Sequence, residues 1–206
     1  NHLRLALFSG RGLDELSQVE GIRSFQALRD DLFLLAYASY LAELTAEFLP
    51  EREPHPEVFA LLLESLAALE DKKDPEGVTG FFALNLLEMA GFRPALTQCL
   101  ACGRAPAPEE ECAFHPAEGG IYCPSCGRPP GALSLPGRLR RAMQAAFAGD
   151  RNFLVPLGPA DRRAFHLLVR SFLELRLEKE LRSLRFLAGL LLPDENSAAE
   201  KKENPP

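Results

Sequence analysis

The chain has 206 residues, a formal net charge of −6 and 47% hydrophobic residues. Its length suits one domain, alone or with a small module, and its composition excludes a wholly disordered or collagen-like chain. No apolar run reaches the roughly 18 residues that a membrane helix needs, and no secretion signal is recognisable. We therefore expect a cytoplasmic protein that does not enter a membrane.

The charge is distributed unevenly along the chain. Residues 1–126 contain 9 Lys and Arg against 20 Asp and Glu, whereas residues 127–192 contain 12 against 5. Binding to nucleic-acid phosphates needs a local concentration of basic side chains, which the overall net charge conceals. The later segment therefore predicts a basic surface on an acidic body. A solvated arginine face without a partner is the alternative.

The predicted elements begin with a strand. Leu3, Leu5 and Leu7 alternate with other residues, which is the period of a strand, and we expect an N-terminal portion to precede it. A glycine-rich turn follows at residues 9–12, and Ser24 is a candidate N-cap for a long helix. The stripe that would face the core of this helix consists of Leu34, Tyr37, Leu41, Leu44 and Phe48.

Further helices are predicted over residues 56–70 and 78–90, and the second is apolar almost all round, as in the middle of a bundle. The core-facing stripe predicted for the first consists of Phe59, Leu62, Leu66 and Leu69. Helical spacing resumes over residues 136–149 and then, as one long helix, over residues 159–192. Residues 193–206 contain no large apolar side chain and predict a disordered tail.

Four of the five cysteines form two Cys-x-x-Cys pairs, Cys99 with Cys102 and Cys123 with Cys126, separated by 20 residues. This spacing allows two tight turns to direct four thiolates at one ion, and four sulfurs complete the coordination shell of zinc. The pattern therefore predicts one structural Zn²⁺ without an open catalytic position. Two disulfides are the competing interpretation, which the absence of a secretion signal disfavours.

The remaining chemical groups form no recognisable catalytic motif. Cys112 is interpreted as a small buried residue or an unused thiol, and the two complete cysteine pairs leave His115 no ligand position. The acidic clusters at residues 30–31 and 109–111 lack a partner base. We therefore assign no catalytic residue, although the absence of a motif does not exclude an enzyme. A hydrolase assembled from scattered carboxylates is an alternative that a second metal would favour.

Arginines in the later segment predict a nucleic-acid contact. With about 3.6 residues per turn, Arg162, Arg163 and Arg170 share one helix face, opposite an apolar face. Arg138 and Arg141, three apart in the preceding helix, extend this cationic face. We expect the five arginines to bind nucleic-acid phosphates without sequence preference.

A second predicted surface combines Arg182 and Arg185 with Phe186 and Leu187. Guanidinium groups beside apolar side chains suit either a nucleic-acid backbone or an acidic peptide that ends in an apolar residue. The competing interpretation is that Phe186, like Leu184, is a core residue of the last helix.

Several local patterns also occur in a shared order. They are residues 8–12, the long helix after Glu20, residues 91–94 on the approach to Cys99, residues 114–126 and residues 181–187. In this order and spacing the chain, over residues 1–192, resembles the bacterial RecO family of recombination-repair proteins in its zinc-carrying form.

The resemblance implies a mainly α fold, in which a helical bundle domain carries an inserted zinc-ribbon-like module with four cysteine ligands and follows the end of an N-terminal β-barrel, an OB-fold. The implied division is 1–22 as the OB-fold remnant, 23–93 and 131–192 as the helical domain, 94–130 as the zinc module and 193–206 as the tail.

For function, the resemblance implies a non-enzymatic mediator that binds single- and double-stranded DNA and anneals complementary strands. With its partner RecR, such a mediator helps to load RecA onto DNA coated by the single-stranded DNA-binding protein, and it would associate with the nucleoid. We expect the acidic, apolar-ended C-terminal tail of that coating protein at Arg182, Arg185, Phe186 and Leu187. A zinc-ribbon scaffold that binds only protein is the alternative.

Overall fold

The computed structural model describes residues 1–71, 73–177 and 180–191. It opens with an antiparallel hairpin of β1 (His2–Phe8) and β2 (Glu15–Arg23), so the strand predicted at the start is confirmed. The apolar side chains of this hairpin are about half exposed, as Leu5 at 50% and Val19 at 52% illustrate. A two-stranded hairpin of this kind gains little stability from its own packing.

The helix predicted from Ser24 is instead two helices, α1 (Gln26–Asp30) and α2 (Leu32–Phe48). The break lies at Asp31, whose backbone is extended and whose carboxylate accepts hydrogen bonds from the Phe33 and Leu34 amides. This side chain is the N-cap of α2, because it satisfies amides that the first helical turn leaves unpaired.

Two further helices, α3 (Pro56–Glu70) and α4 (Pro75–Met89), confirm the predicted helices over residues 56–70 and 78–90. Each begins with proline, which suits the first helical position because its missing N–H is not needed there. The predicted inward direction of Phe59 was wrong. It is 51% exposed and packs against the His2 ring, whereas Val58 is buried.

A four-stranded sheet follows α4, formed by β3 (Ala95–Cys99), β4 (Cys112–His115), β5 (Gly120–Tyr122) and β6 (Leu133–Leu135). The strand order is β3-β5-β4-β6, with β3 parallel to β5 and the other pairs antiparallel. The turn between β4 and β5 contains Gly119 at a φ of 68°, a conformation that glycine adopts without strain.

The C-terminal helices are α5 (Gly137–Phe147), α6 (Pro159–Leu177) and α7 (Arg182–Leu191). The single long helix predicted from residue 159 is therefore two helices. The N-terminus of α7 is capped from outside the helix, since the Glu43 carboxylate on α2 accepts hydrogen bonds from the Arg182 and Ser183 amides. The predicted tail over residues 193–206 lies outside the described residues.

One apolar core joins the helices to the sheet. It contains Phe82 and Leu86 of α4, Phe165 of α6, and Phe114 and Ile121 of the sheet, all fully buried. The central position predicted for α4 is confirmed, as is the mainly α fold class with a cysteine-containing insertion. Within the described residues, no helix is both long and apolar enough to cross a membrane.

Candidate metal centre and basic surface

The structure brings the four predicted ligands Cys99, Cys102, Cys123 and Cys126 together, with all four sulfur atoms within 4.8 Å of one another. The Sγ atoms of Cys102 and Cys123 are 3.7 Å apart. Tetrahedral zinc with Zn–S bonds of about 2.3 Å requires sulfur atoms about 3.8 Å apart. The four cysteines therefore have the chemistry and the spacing of a closed metal site.

Local backbone structure directs these sulfurs. Cys99 ends β3, Cys123 directly follows β5, and Cys126 ends a short 3-10 turn at Pro124–Cys126. The Cys123 amide donates a hydrogen bond to the Cys99 sulfur at 3.3 Å. Although burial opposes ionisation of the Cys99 thiol, backbone hydrogen bonds, with that from Cys123 the largest, lower its pKa below the ordinary value.

The environment shifts the pKa values of the clustered cysteines in opposite directions. A hydrogen bond from the Arg104 side chain lowers the pKa of Cys123 to about 6, and Arg104 is itself held by a two-point ion pair with Glu110. Hydrogen bonding with the Cys102 and Cys123 sulfurs raises the pKa of Cys126 to about 12. Cys126 therefore keeps its proton next to ionised sulfurs, and a bound divalent cation would displace that proton, because metal coordination requires thiolates.

Cys112 and His115 lie outside this cluster. Cys112 is buried, burial raises the pKa of its thiol, and its Sγ is 3.8 Å from the Glu110 carbonyl. His115 accepts a hydrogen bond from the Glu118 amide, and its Nε2 lies 3.1 Å from the Pro130 carbonyl. The interpretation of Cys112 as a small buried residue is confirmed.

Two arginines attach the cysteine-containing sheet to the helices, and sequence reasoning missed both. Arg140 on α5 is only 3% exposed and donates to backbone carbonyls of the insertion, those of Leu96 at 3.4 Å, Ala107 at 2.5 Å and Pro108 at 3.3 Å. Arg176 on α6 donates to the Ala117 carbonyl and stacks on the Phe172 ring at 4.7 Å. No sequence signal distinguished these arginines from those at the surface.

A glycine permits the close approach that Arg140 requires. At Gly137, the first residue of α5, a Cβ atom would lie 2.4 Å from the Glu109 carbonyl carbon. Any larger residue would displace the 107–109 loop from the start of the helix.

The predicted DNA-contacting arginines are mostly engaged with carboxylates. The ion pairs are Arg138 with Asp161, Arg141 with Glu109, Arg162 with Asp74 and Glu76, and Arg170 with Glu174 and Glu180. Arg163 is exposed and forms no ion pair with a described residue. Because acidic residues from the rest of the chain lie beside this face, its positive charge is smaller than the local sequence count suggests.

Of the four predicted partner-binding residues on α7, three are exposed to solvent and one faces the interior. Arg182, Arg185 and Phe186 are exposed, with Phe186 at 51%, so the alternative of a core role is wrong for Phe186. Leu187 is 6% exposed and faces the interior, where it lines a cavity with Leu184.

Comparison with known proteins identifies the relationship. A family model described as "Recombination protein O C terminal" matches residues 29–185. The chain belongs to the RecO family. This membership associates the chain with DNA repair and recombination.

Individual RecO relatives match most of the chain. A protein of Symbiobacterium thermophilum named DNA repair protein RecO is 39% identical over 195 residues, which cover 92% of this chain and 77% of the relative. Proteins of the same name from Anaeromyxobacter sp. and Dehalococcoides mccartyi are 37% and 29% identical over 87% and 92% of the chain, covering 72% and 78% of the relatives.

The RecO family match includes all four clustered cysteines and the five predicted DNA-contacting arginines. It also includes Arg182 and Arg185, and ends before Phe186 and Leu187.

Proposed function

We propose that the chain is a DNA-binding recombination mediator without catalytic activity, which acts at the nucleoid. In this proposal it binds single- and double-stranded DNA and anneals complementary strands. With RecR, it helps to load RecA onto DNA coated by the single-stranded DNA-binding protein. The observation that carries the proposal is the RecO family match over residues 29–185.

We further propose that the four clustered cysteines hold one Zn²⁺ in a structural role. The sulfur spacing supports this proposal, and four thiolates leave no coordination position for a water or a substrate. Metal analysis of protein purified without chelator should find about one equivalent of zinc. Less than half an equivalent, or a disulfide that involves any of the four, would contradict the assignment.

DNA binding through Arg138, Arg141, Arg162, Arg163 and Arg170 is tested by titrating labelled DNA over a range of salt concentrations. Each lost phosphate contact should flatten the plot of log affinity against log salt by about one unit. We expect Arg163→Gln to have the largest effect and Arg162→Gln the smallest, because Arg162 is already paired with Asp74 and Glu76. An unchanged slope in all five variants would show that this face does not bind DNA.

The acidic C-terminal tail of the coating protein is proposed to bind at Arg182, Arg185 and Phe186, without Leu187, which faces the interior. The exposed arginines would pair with its carboxylates, and the exposed Phe186 ring offers an apolar contact. An Arg182→Glu, Arg185→Glu double variant of unchanged helicity should lose affinity for a labelled tail peptide. Equal affinity in variant and wild type would move the tail site elsewhere.

A zinc-ribbon scaffold that binds only protein is the second candidate function. The observation that favours it is that four of the five predicted DNA-contacting arginines are paired with carboxylates. The salt titration also decides between the two functions, since a scaffold should show no salt-dependent affinity for DNA.

A further inference from the structure

A cavity of about 500 Å³ lies between helices α2, α4, α6 and α7, apart from the cysteine cluster. Its wall is largely apolar and includes Ala83 of α4, Val169 of α6, and Leu184 and Leu187 of α7. A pocket of this size and character is typical of sites that bind a small ring system rather than a flat protein surface.

Two tyrosines on α2 give this apolar wall a polar component. Tyr37 and Tyr40 are three residues apart and therefore share a helix face, and both line the cavity. Each side chain is only 6% exposed, and neither phenol oxygen has a hydrogen-bond partner among the described residues. Neither oxygen belongs to the fully inaccessible unpaired atoms of these residues, so both hydroxyls are open to a ligand in the cavity that carries hydrogen-bonding atoms.

Both hydroxyls are available as donors at neutral pH. Burial, together with the nearby Glu76 and Asp74 carboxylates, raises the pKa of Tyr37 to about 12, and burial also raises the pKa of Tyr40. A purely apolar occupant, such as an aliphatic or phenyl side chain, would leave these donors unpaired.

The cavity lining includes one arginine without an ion pair to a described residue, Arg163. Glu76 also lines the cavity, and its carboxylate is neighboured by Arg162 at 3.3 Å and by the His166 ring at 3.7 Å. An anionic group in the cavity can therefore pair with the Arg163 guanidinium.

We propose that this cavity binds one unstacked base of single-stranded DNA, with the Tyr37 and Tyr40 hydroxyls on the base and Arg163 on an adjacent phosphate. A nucleotide has a ring with polar edges next to an anionic phosphate, which matches the two hydroxyls and the arginine of this cavity. Proteins commonly bind single strands through such unstacked bases. The inference rests on the proposed DNA-binding function and assigns it a specific site.

The test compares two labelled single strands of equal length, one of thymidines and one of abasic sites, by fluorescence anisotropy. Tyr40→Phe keeps the ring but removes the hydroxyl, so it should weaken thymidine-strand binding by about 3- to 10-fold and leave abasic binding unchanged. Tyr37→Phe should behave in the same way. Tyr122→Phe is the matched control, since Tyr122 lies in β5 with its hydroxyl on Glu118, and it should alter neither affinity.

Arg163→Gln should weaken both strands and flatten the salt dependence by about one unit, because both retain their phosphates. Arg52→Gln, an exposed loop change away from the cavity lining, is its control.

The possible results distinguish base insertion from DNA binding elsewhere on the protein and from peptide binding. Equal losses on thymidine and abasic strands, or no loss in either tyrosine variant, would overturn base insertion while leaving DNA binding intact. Failure of the wild type to bind either strand would overturn the proposed function itself. If the tyrosine variants lose affinity only for an acidic, apolar-ended peptide, the occupant is a peptide and the base-insertion proposal is wrong.

Discussion

The helical part of the chain and the cysteine-containing sheet are stabilised by different means. The helices bury a large set of apolar side chains, with Leu41, Leu44 and Phe82 completely inaccessible. The sheet contributes few large apolar side chains, among them Phe114 and Ile121. A segment with so small a core depends on cross-links, which here are the cysteine cluster and the arginine bonds to backbone carbonyls.

The two regions are nevertheless joined. The Phe114 ring packs edge-on against Phe172 of α6 at 5.6 Å, and Arg176 stacks on the same Phe172 ring. Loss of a bound metal should therefore also destabilise α6. A substitution in the helical core should leave the four sulfur ligands in place. The following changes test this asymmetry, from the largest expected effect to the smallest.

Cys102→Ser should abolish metal binding and disorder the sheet. Structural zinc contributes on the order of 10 kcal/mol to the folding of small modules, and the sheet has no core that could replace it. Amide hydrogen exchange should show loss of protection over residues 95–130, while most of the helical amides, including those of α2, stay protected.

Cys112→Ala is the matched control for this change, since Cys112 is a buried cysteine outside the cluster. It should retain one equivalent of metal. Unchanged protection over residues 95–130 in the Cys102→Ser protein would contradict the view that the metal holds this region together.

Leu41→Ala should destabilise the helical region by about 2–5 kcal/mol, because it removes a fully buried side chain from α2 and leaves a cavity. Urea unfolding measures this loss, and metal content below the transition should stay unchanged. Leu35→Ala, on the same helix but 38% exposed, should cost far less. Loss of metal from the folded Leu41→Ala protein would show that the two regions are less separable than proposed.

The same contrast explains what sequence reasoning could predict. The cysteine pairs are recognisable because metal coordination fixes their spacing, and α3 and α4 are recognisable because helical burial repeats about every 3.6 residues. The breaks at Asp31 and before Arg182 were missed. The second break depends on a tertiary contact, the Glu43 carboxylate, that no local pattern contains.

Charge was the least predictable property of the site. Counting arginines predicted a cationic face, but three of the carboxylates that pair with it, Asp74, Glu76 and Glu109, come from the acidic earlier part of the chain. Arg140, which would have been assigned to the surface, is buried because backbone carbonyls of the insertion accept hydrogen bonds from both of its terminal guanidinium nitrogens.

Arg140→Met should lower the free energy of unfolding by about 1–3 kcal/mol, because it keeps much of the side-chain volume but leaves buried carbonyls without their donor. Exchange should accelerate first near Leu96 and the 107–108 loop, which Arg140 contacts. Arg141→Met is the control, because Arg141 is a half-exposed member of a surface pair and should contribute less than about 1 kcal/mol. Equal effects of the two changes would show that Arg140 does not attach the sheet to α5.

Glu43→Gln should have the smallest effect, about 1 kcal/mol at pH 7, because it weakens the cap at the N-terminus of α7. Although burial raises the pKa of Glu43, hydrogen bonds from the Ser183 side chain and the Ser183 and Arg182 amides outweigh it and lower the pKa below its ordinary value. The stabilisation is therefore complete above the unfolded-state pKa and is lost as pH falls through the lower folded-state pKa. Urea unfolding at pH 7 and at about pH 3 should show that the difference between variant and wild type shrinks in acid, as the Glu43 side chain becomes protonated. Glu51→Gln, a change in an exposed turn, is the control and should show no such pH dependence. If the difference in unfolding free energy between Glu43→Gln and wild type were the same at both pH values, the charge of the Glu43 carboxylate would not stabilise α7.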